Sequence, residues 1–286
     1  MSNRKTFFAR IKEYQKNPFS LLLFLLVMSA ACLTFFILVF LIFYILIKGL
    51  PYLTPSLFAL QYNSENVSLF PAMITTIIIT AMALLIAAPV GIFASIYLVE
   101  YAQKGNKIVE VVRLTSETLS GIPSIVYGLF GLLFFVTRLQ WGFSILSGAC
   151  TLAIMILPLI IRTTEEALKS VPDTWREASF GLGAGKLRTV FKIVLPAAIP
   201  GILAGIILAI GRIVGETAAL IYTAGTVAKI PENVFASGRT LAIHMYALSS
   251  EGLYTNQAYA TAVVLLIIVL LINMFSAFVA KKLMKG

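Results

Sequence analysis

Charged side chains are scarce in this chain, at 12% of the residues, where soluble domains carry about 25%. That scarcity excludes an ordinary soluble enzyme or binding module. Sulfur and imidazole are scarcer still: two cysteines, Cys32 and Cys150, and one histidine, His244. Both cysteines lie in apolar runs and read as buried free thiols, so no disulfide framework or compartment follows from them. No group of cysteines and histidines suggests a metal site. The pattern Gly-x-x-x-x-Gly-Lys-Ser/Thr is absent, so any ATP, with its Mg, has to be bound by another chain. Neither His-Glu-x-x-His nor Gly-x-Ser-x-Gly occurs, which leaves an intramembrane enzyme without a candidate active site. Residues 1–140 and 141–286 share no convincing internal repeat, which weakens a secondary-transporter reading.

What the chain has in abundance is hydrocarbon. Apolar residues make up 59% of it, and the mean hydropathy is +0.96. This is an all-α, polytopic membrane protein. A spanning helix takes about 20 mostly apolar residues, and six runs qualify, at about 20–48, 71–98, 118–137, 142–162, 195–224 and 258–280. The first follows a basic segment, 1–19, and is too long for a signal-peptide core of about 7 to 15 residues. It reads as a retained anchor helix. A net charge of +10 might suggest nucleic acid, but the charges sit in short connectors between apolar runs, and no nucleic-acid partner is expected.

Those connectors orient the chain. With both ends in the cytosol, seventeen Lys and Arg residues fall on the inner side and four on the outer side, and Arg212 lies inside a span. The tail 281–286 is basic and inner. The outer connector 225–257 shows no catalytic cluster, and His244 within it reads as structural.

The longest inner connector, 163–192, is the most informative. Val171-Pro172-Asp173-Thr174 is a helix start: proline suits the first turn, and Asp173 favours the helix dipole. Gly181, Gly183 and Gly185 then stop the helix. Trp175, Ala178 and Leu182 fall on one short apolar face. A helix this short cannot cross a membrane. It lies on lipid or inserts in a partner's groove.

The series Glu177-Ala178-Ser179, Gly183, Ile193, Leu195 and Pro196 resembles the EAA loop of ABC importer permeases, with Ser179 in place of a second alanine. Ser120-Gly121-Ile122-Pro123-Ser124 and Gly211-Arg212-Ile213-Val214-Gly215-Glu216-Thr217 resemble segments of the phosphate-importer members, and Ser237-Gly238-Arg239-Thr240-Leu241 suggests the PstA type. The likeness covers roughly residues 70–280. It implies a type I permease fold in a bacterial plasma (inner) membrane. It also implies a paralogous permease, two ATP-binding subunits that hold ATP and Mg, and an external phosphate-binding protein. The helix of the loop would dock in an ATP-binding subunit.

Arg212 and Glu216 are the only charges well inside a span. A charge at the bilayer centre costs about 2.5–3.5 kcal/mol on insertion scales, so it should face protein or water. At i and i+4 of one helix the two would share a face with Gly205, Ala209, Ala219 and Thr223. That stripe reads either as an anion pathway or as a structural ion pair with close packing. The resemblance favours the pathway, with phosphate as cargo and Glu216 accepting its proton. A closed Arg212–Glu216 pair is neutral and attracts no dianion, so another cation is needed. Arg162 is the candidate in this chain, and it also reads as a positive-inside anchor. Molybdate, sulfate and phosphonate remain alternative cargoes. Gly201/Gly205 and Gly211/Gly215 are small-xxx-small pairs, expected to be helix packing sites.

Overall fold

The computed structural model describes residues 18–103 and 105–283, so the basic segment 1–17, Lys104 and the last three residues lie outside it. Among the described residues the chain is helical and contains no strand. Five helices are long and apolar enough to cross a membrane, and a bent pair makes a sixth span if counted as one.

Helix α1, Pro18–Gly49, stands at the edge of the molecule. None of its most apolar window is buried, and it packs chiefly on the final helix, α11, Thr255–Leu283. Cys32 is therefore exposed on this outer helix, where a buried thiol was expected. Helix α2, Phe70–Ile96, opens with Pro71 in its first turn and runs on through a π-helical turn, Tyr97–Tyr101.

The amphipathic helix α3, Lys107–Ser120, is N-capped by Asn106, whose side chain accepts a hydrogen bond from the Ile108 N–H. Gly121-Ile122-Pro123 then ends it, and α4, Ser124–Gly131 with a π-helical continuation to Arg138, leaves at 103°. The span expected at 118–137 is thus broken: residues 118–120 belong to α3. Pro123 disfavours helical geometry at Ile122, and so the apolar run cannot stay straight.

Helix α5, Ile145–Lys169, is the centre of the bundle. Two thirds of its apolar window is buried, at 67%, with α2 and α8 packed along it. Ile79, Ala83, Leu152, Ile156, Ala209 and Ile213 close the core between them. At about 1.5 Å per residue its 25 residues exceed the roughly 30 Å hydrocarbon thickness. Its last turns, beyond the expected end at 162, therefore project past the apolar layer.

The short helix α6, Asp173–Gly181, follows. Helix α7, Lys186–Thr189, a π-helical turn Val190–Val194 and α8, Leu195–Val214, form one run. The wider turn precedes Pro196, whose ring and missing N–H conflict with a regular α-helical ladder. Helix α8 stops at Val214, ten residues before the apolar run ends. Gly215-Glu216-Thr217 breaks it, and a short α9, Ala218–Ile221, begins beyond. Helix α10, Leu241–Glu251, is capped by Thr240 and buried against α2 and α11.

The four packing glycines divide. A side chain at Gly201 would strike Ala167, and one at Gly205 would strike Thr163, so both permit α8 to approach α5. Gly211 has open space around it, and a side chain at Gly215 would approach only the Gly211 carbonyl oxygen. The second pair is not a packing site within this chain, because α8 ends there and leaves α5.

Candidate functional site

A cavity of about 270 Å³ opens between α3, α5 and the end of α8. Its charged lining holds Arg113 and Glu117 from α3, Arg162, Glu165, Glu166 and Lys169 from α5, and Arg212 from α8. These cations are not equally free. The Glu165 carboxylate, whose side chain is 8% exposed, accepts from Arg113 Nε at 3.1 Å and Lys169 Nζ at 2.6 Å. Arg113 also donates to the Leu98 carbonyl at 3.3 Å. This cluster ties α3 to α5 and to the end of α2.

Arg162 pairs with Glu166 at 3.1 Å, with side chains 67% and 65% exposed. An exposed pair of that kind contributes about 0–1 kcal/mol, so Arg162 can exchange Glu166 for an arriving anion at little cost. Arg212 makes no ion pair or hydrogen bond among the described residues. Arg212 and Arg162 are thus available to an oxyanion, while Arg113 and Lys169 are engaged.

The expected Arg212–Glu216 face does not form. The helix ends between the two residues, and the Glu216 carboxylate accepts from the Ala219 N–H at 3.0 Å, bridging the break into α9. Glu216 does not line the cavity. Thr223 is buried, donates to the Ala219 carbonyl at 2.8 Å and packs at Gly131, away from Arg212. Gly205 and Ala209 remain on the α5 face of α8. Sequence periodicity missed Glu117, which lines the cavity and makes no ion pair among the described residues.

Helix α6 forms the second part of the site. Trp175, Phe180 and Leu182 are 50%, 47% and 90% exposed, so an apolar surface stands uncovered by this chain. Glu177 and Ala178 are exposed beside them, while Ser179 turns inward and its hydroxyl meets that of Thr189 at 2.8 Å. Ser179 thus fixes α6 to α7. The helix ends in a Schellman motif. Ala184 N–H donates to the Ser179 carbonyl at 3.1 Å and Gly183 N–H to that of Phe180 at 2.9 Å. Gly183 has φ +82°, in the left-handed region that glycine enters without strain.

Arg176 anchors α6, and sequence reasoning missed it. Its guanidinium, 14% exposed, reaches Glu100 at 2.7 Å and Asp173 at 3.1 Å. It also donates to the carbonyls of Leu168 and Val171 at 2.9 and 2.8 Å. One side chain thereby holds α6 to the end of α2 and to the end of α5. Its signal in the sequence was one more basic residue in an inner connector.

A bundle of apolar spans, a charged cavity within it and an uncovered surface helix define a multi-pass membrane permease. The chain belongs to the family of binding-protein-dependent transport system inner membrane components, whose family model matches residues 87–285. Among curated proteins, it is 34% identical over 284 residues to the phosphate transport system permease protein PstA of Yersinia pestis, covering 94% of this chain and 91% of that one. It is 39% identical over 209 residues to the probable ABC transporter permease protein YqgI of Bacillus subtilis, covering 68% and 71%. The fold matches a bacterial alginate ABC transporter with a TM-score of 0.70 at 15% identity, over 96% of this chain and 98% of that one. It matches the inward-facing MetNI methionine ABC transporter with a TM-score of 0.59 at 20% identity, over 75% and 94%. The chain is a PstA-type ABC importer permease of type I fold.

Proposed function

We infer that this chain is the membrane subunit of an ATP-driven importer of inorganic phosphate, forming half of its pathway with a paralogous permease. Two ATP-binding subunits would hold ATP and Mg, and an external phosphate-binding protein would deliver the anion. The observation that supports this most directly is Arg212, an unpaired guanidinium in the last turn of α8 that lines one cavity with the exchangeable Arg162. A guanidinium presents fixed donors that suit phosphate oxygens. Glu117 takes the part first given to Glu216: a free carboxylate in the cavity accepts a hydrogen bond from hydrogen phosphate, which sulfate cannot donate.

Helix α6 would seat its Trp175, Ala178 and Leu182 surface in an ATP-binding subunit. Closure of those subunits on ATP moves α6, and Arg176 passes the motion to α2 and α5. On this reading the α6 end of the bundle faces the cytosol at a bacterial inner membrane, which the clustering of basic connectors at that end supports. The test is labelled-phosphate uptake by the reconstituted complex carrying Arg212→Gln. Uptake should be lost while the ATP-binding subunits still co-purify; normal uptake would refute a pathway at Arg212.

A further inference from the structure

At the end of the bundle opposite α6 lies a second cation that the fold leaves unsatisfied. Arg239 is 6% exposed, and its Nε and Nη2 atoms are buried without a hydrogen-bond partner among the described residues. No carboxylate pairs with it there. Its guanidinium rests on the Tyr62 ring, 4.7 Å from the centroid. Such a contact returns only part of what burying a charge costs. Tyr62 also meets the ring of His244 edge-on, with centroids 6.1 Å apart. Buried polar groups are ordinarily satisfied, so an orphaned guanidinium calls for a partner.

The surroundings identify its chemistry. A cavity of about 410 Å³ is lined by Tyr62 together with Gln61, Ala228 and Lys229 and by no carboxylate; Arg239 is not in its lining and meets it through the Tyr62 ring. The Arg239 N–H donates to the Val227 carbonyl at 3.0 Å, which holds Arg239 to the strand of loop carrying Ala228 and Lys229. The acidic residues nearest in sequence, Glu65 and Glu232, are exposed and form no ion pair. His244 adds no charge: burial first, and then Arg239, pull its pKa down from 6.5 to about 3. The Val67 backbone opposes that shift least, without reaching hydrogen-bond geometry.

We propose that Arg239 and Lys229, framed by Tyr62, form a second oxyanion subsite that takes phosphate at the end of the permease opposite α6. Two cations match a dianion, one buried and one exposed, and the aromatic ring holds the guanidinium in place while the subsite is empty. The site lies at the N-terminal end of α5, where Gly238 abuts Ile145. The Arg162 and Arg212 cavity lies some 17 residues further along the same helix, or about 25 Å. An anion would meet one site and then the other. The inference rests on the importer reading only for its choice of phosphate.

The experiment is equilibrium binding of labelled inorganic phosphate to the assembled complex without nucleotide, in an Arg212→Gln background that removes the deeper site. One saturable site should remain. Arg239→Gln should abolish it, and Lys229→Gln, at an exposed position that does not threaten folding, should weaken it about tenfold or more. Unchanged affinity in both variants would overturn the proposal. Running it in phospholipid nanodiscs and in lipid-free detergent separates two sources of the same chemistry. Arg239-dependent binding in both assigns free phosphate, and binding in detergent alone assigns a lipid phosphate as the resident anion. Arg239-independent binding in both would refute the site. If Arg212→Gln still transports normally, the importer pathway fails while this subsite stands or falls on its own binding data.

Discussion

Replacing Glu100 by Gln tests how motion leaves α6. Glu100 is 8% exposed at its side chain and Arg176 14%, so the bond between them is a buried ion pair. Removing one partner of such a pair costs about 3–5 kcal/mol, because the other charge is left uncompensated. Arg176 keeps Asp173 and two backbone carbonyls, which puts the expected loss near the lower end, about 3 kcal/mol. The loss falls at one place, the junction of α2 with α6. The chain should still fold and assemble, while α6 loses its grip on α2. The assay is phosphate uptake and ATP hydrolysis measured together on the reconstituted complex. Glu100→Gln should retain most of its hydrolysis and lose most of the phosphate carried per ATP. Glu100→Asp, which restores the charge, should recover part of it. A coupling ratio and melting temperature both equal to those of the parent would refute the reasoning.

Gly183→Ala meets no steric obstacle, since nothing lies within 4 Å of the added carbon, but its φ of +82° should cost about 1–2 kcal/mol; limited proteolysis of the α6 loop should quicken. Gly205→Val should destabilise the chain through Thr163, whereas Gly211→Val should leave its own fold intact, as read by thermal melts of detergent-solubilised protein. His244, facing Arg239 and Tyr62, has a folded pKa of about 3 against 6.5 unfolded. The unfolded chain therefore binds a proton first, and stability that is full above pH 6.5 should fall by up to about 1.4 kcal/mol per pH unit as pH drops towards 3. His244→Gln should flatten that profile; an unchanged slope would contradict the shift.

The long spans were legible because lipid demands runs of apolar residues, and α1, α2, α5, α8 and α11 carry them. Composition cannot mark where a run bends. Gly121-Ile122-Pro123 splits the third run, and Gly215 ends α8 while the hydrophobicity continues to Ala224. Reading residues 195–224 as one helix placed Glu216 and Thr223 beside Arg212, where a straight helix would put them. The α6 signature was legible because capping is local: Pro172, Asp173 and Gly183 each act within one turn. Arg176 and Glu100 are 76 residues apart, and Tyr62 and Arg239 are further still. No spacing rule joins such pairs; only the fold does. Arg162 was found by its charge, and its availability became visible only once its pairing with Glu166 proved exposed.

The central claim is that this chain carries phosphate through the Arg212 cavity of an ATP-driven importer. The most direct measurement is uptake of labelled phosphate into proteoliposomes holding the whole complex, with ATP and the loaded binding protein supplied on their respective sides. Uptake should require both and resist excess sulfate or molybdate. Phosphate uptake without ATP, or equal transport of sulfate, would contradict it.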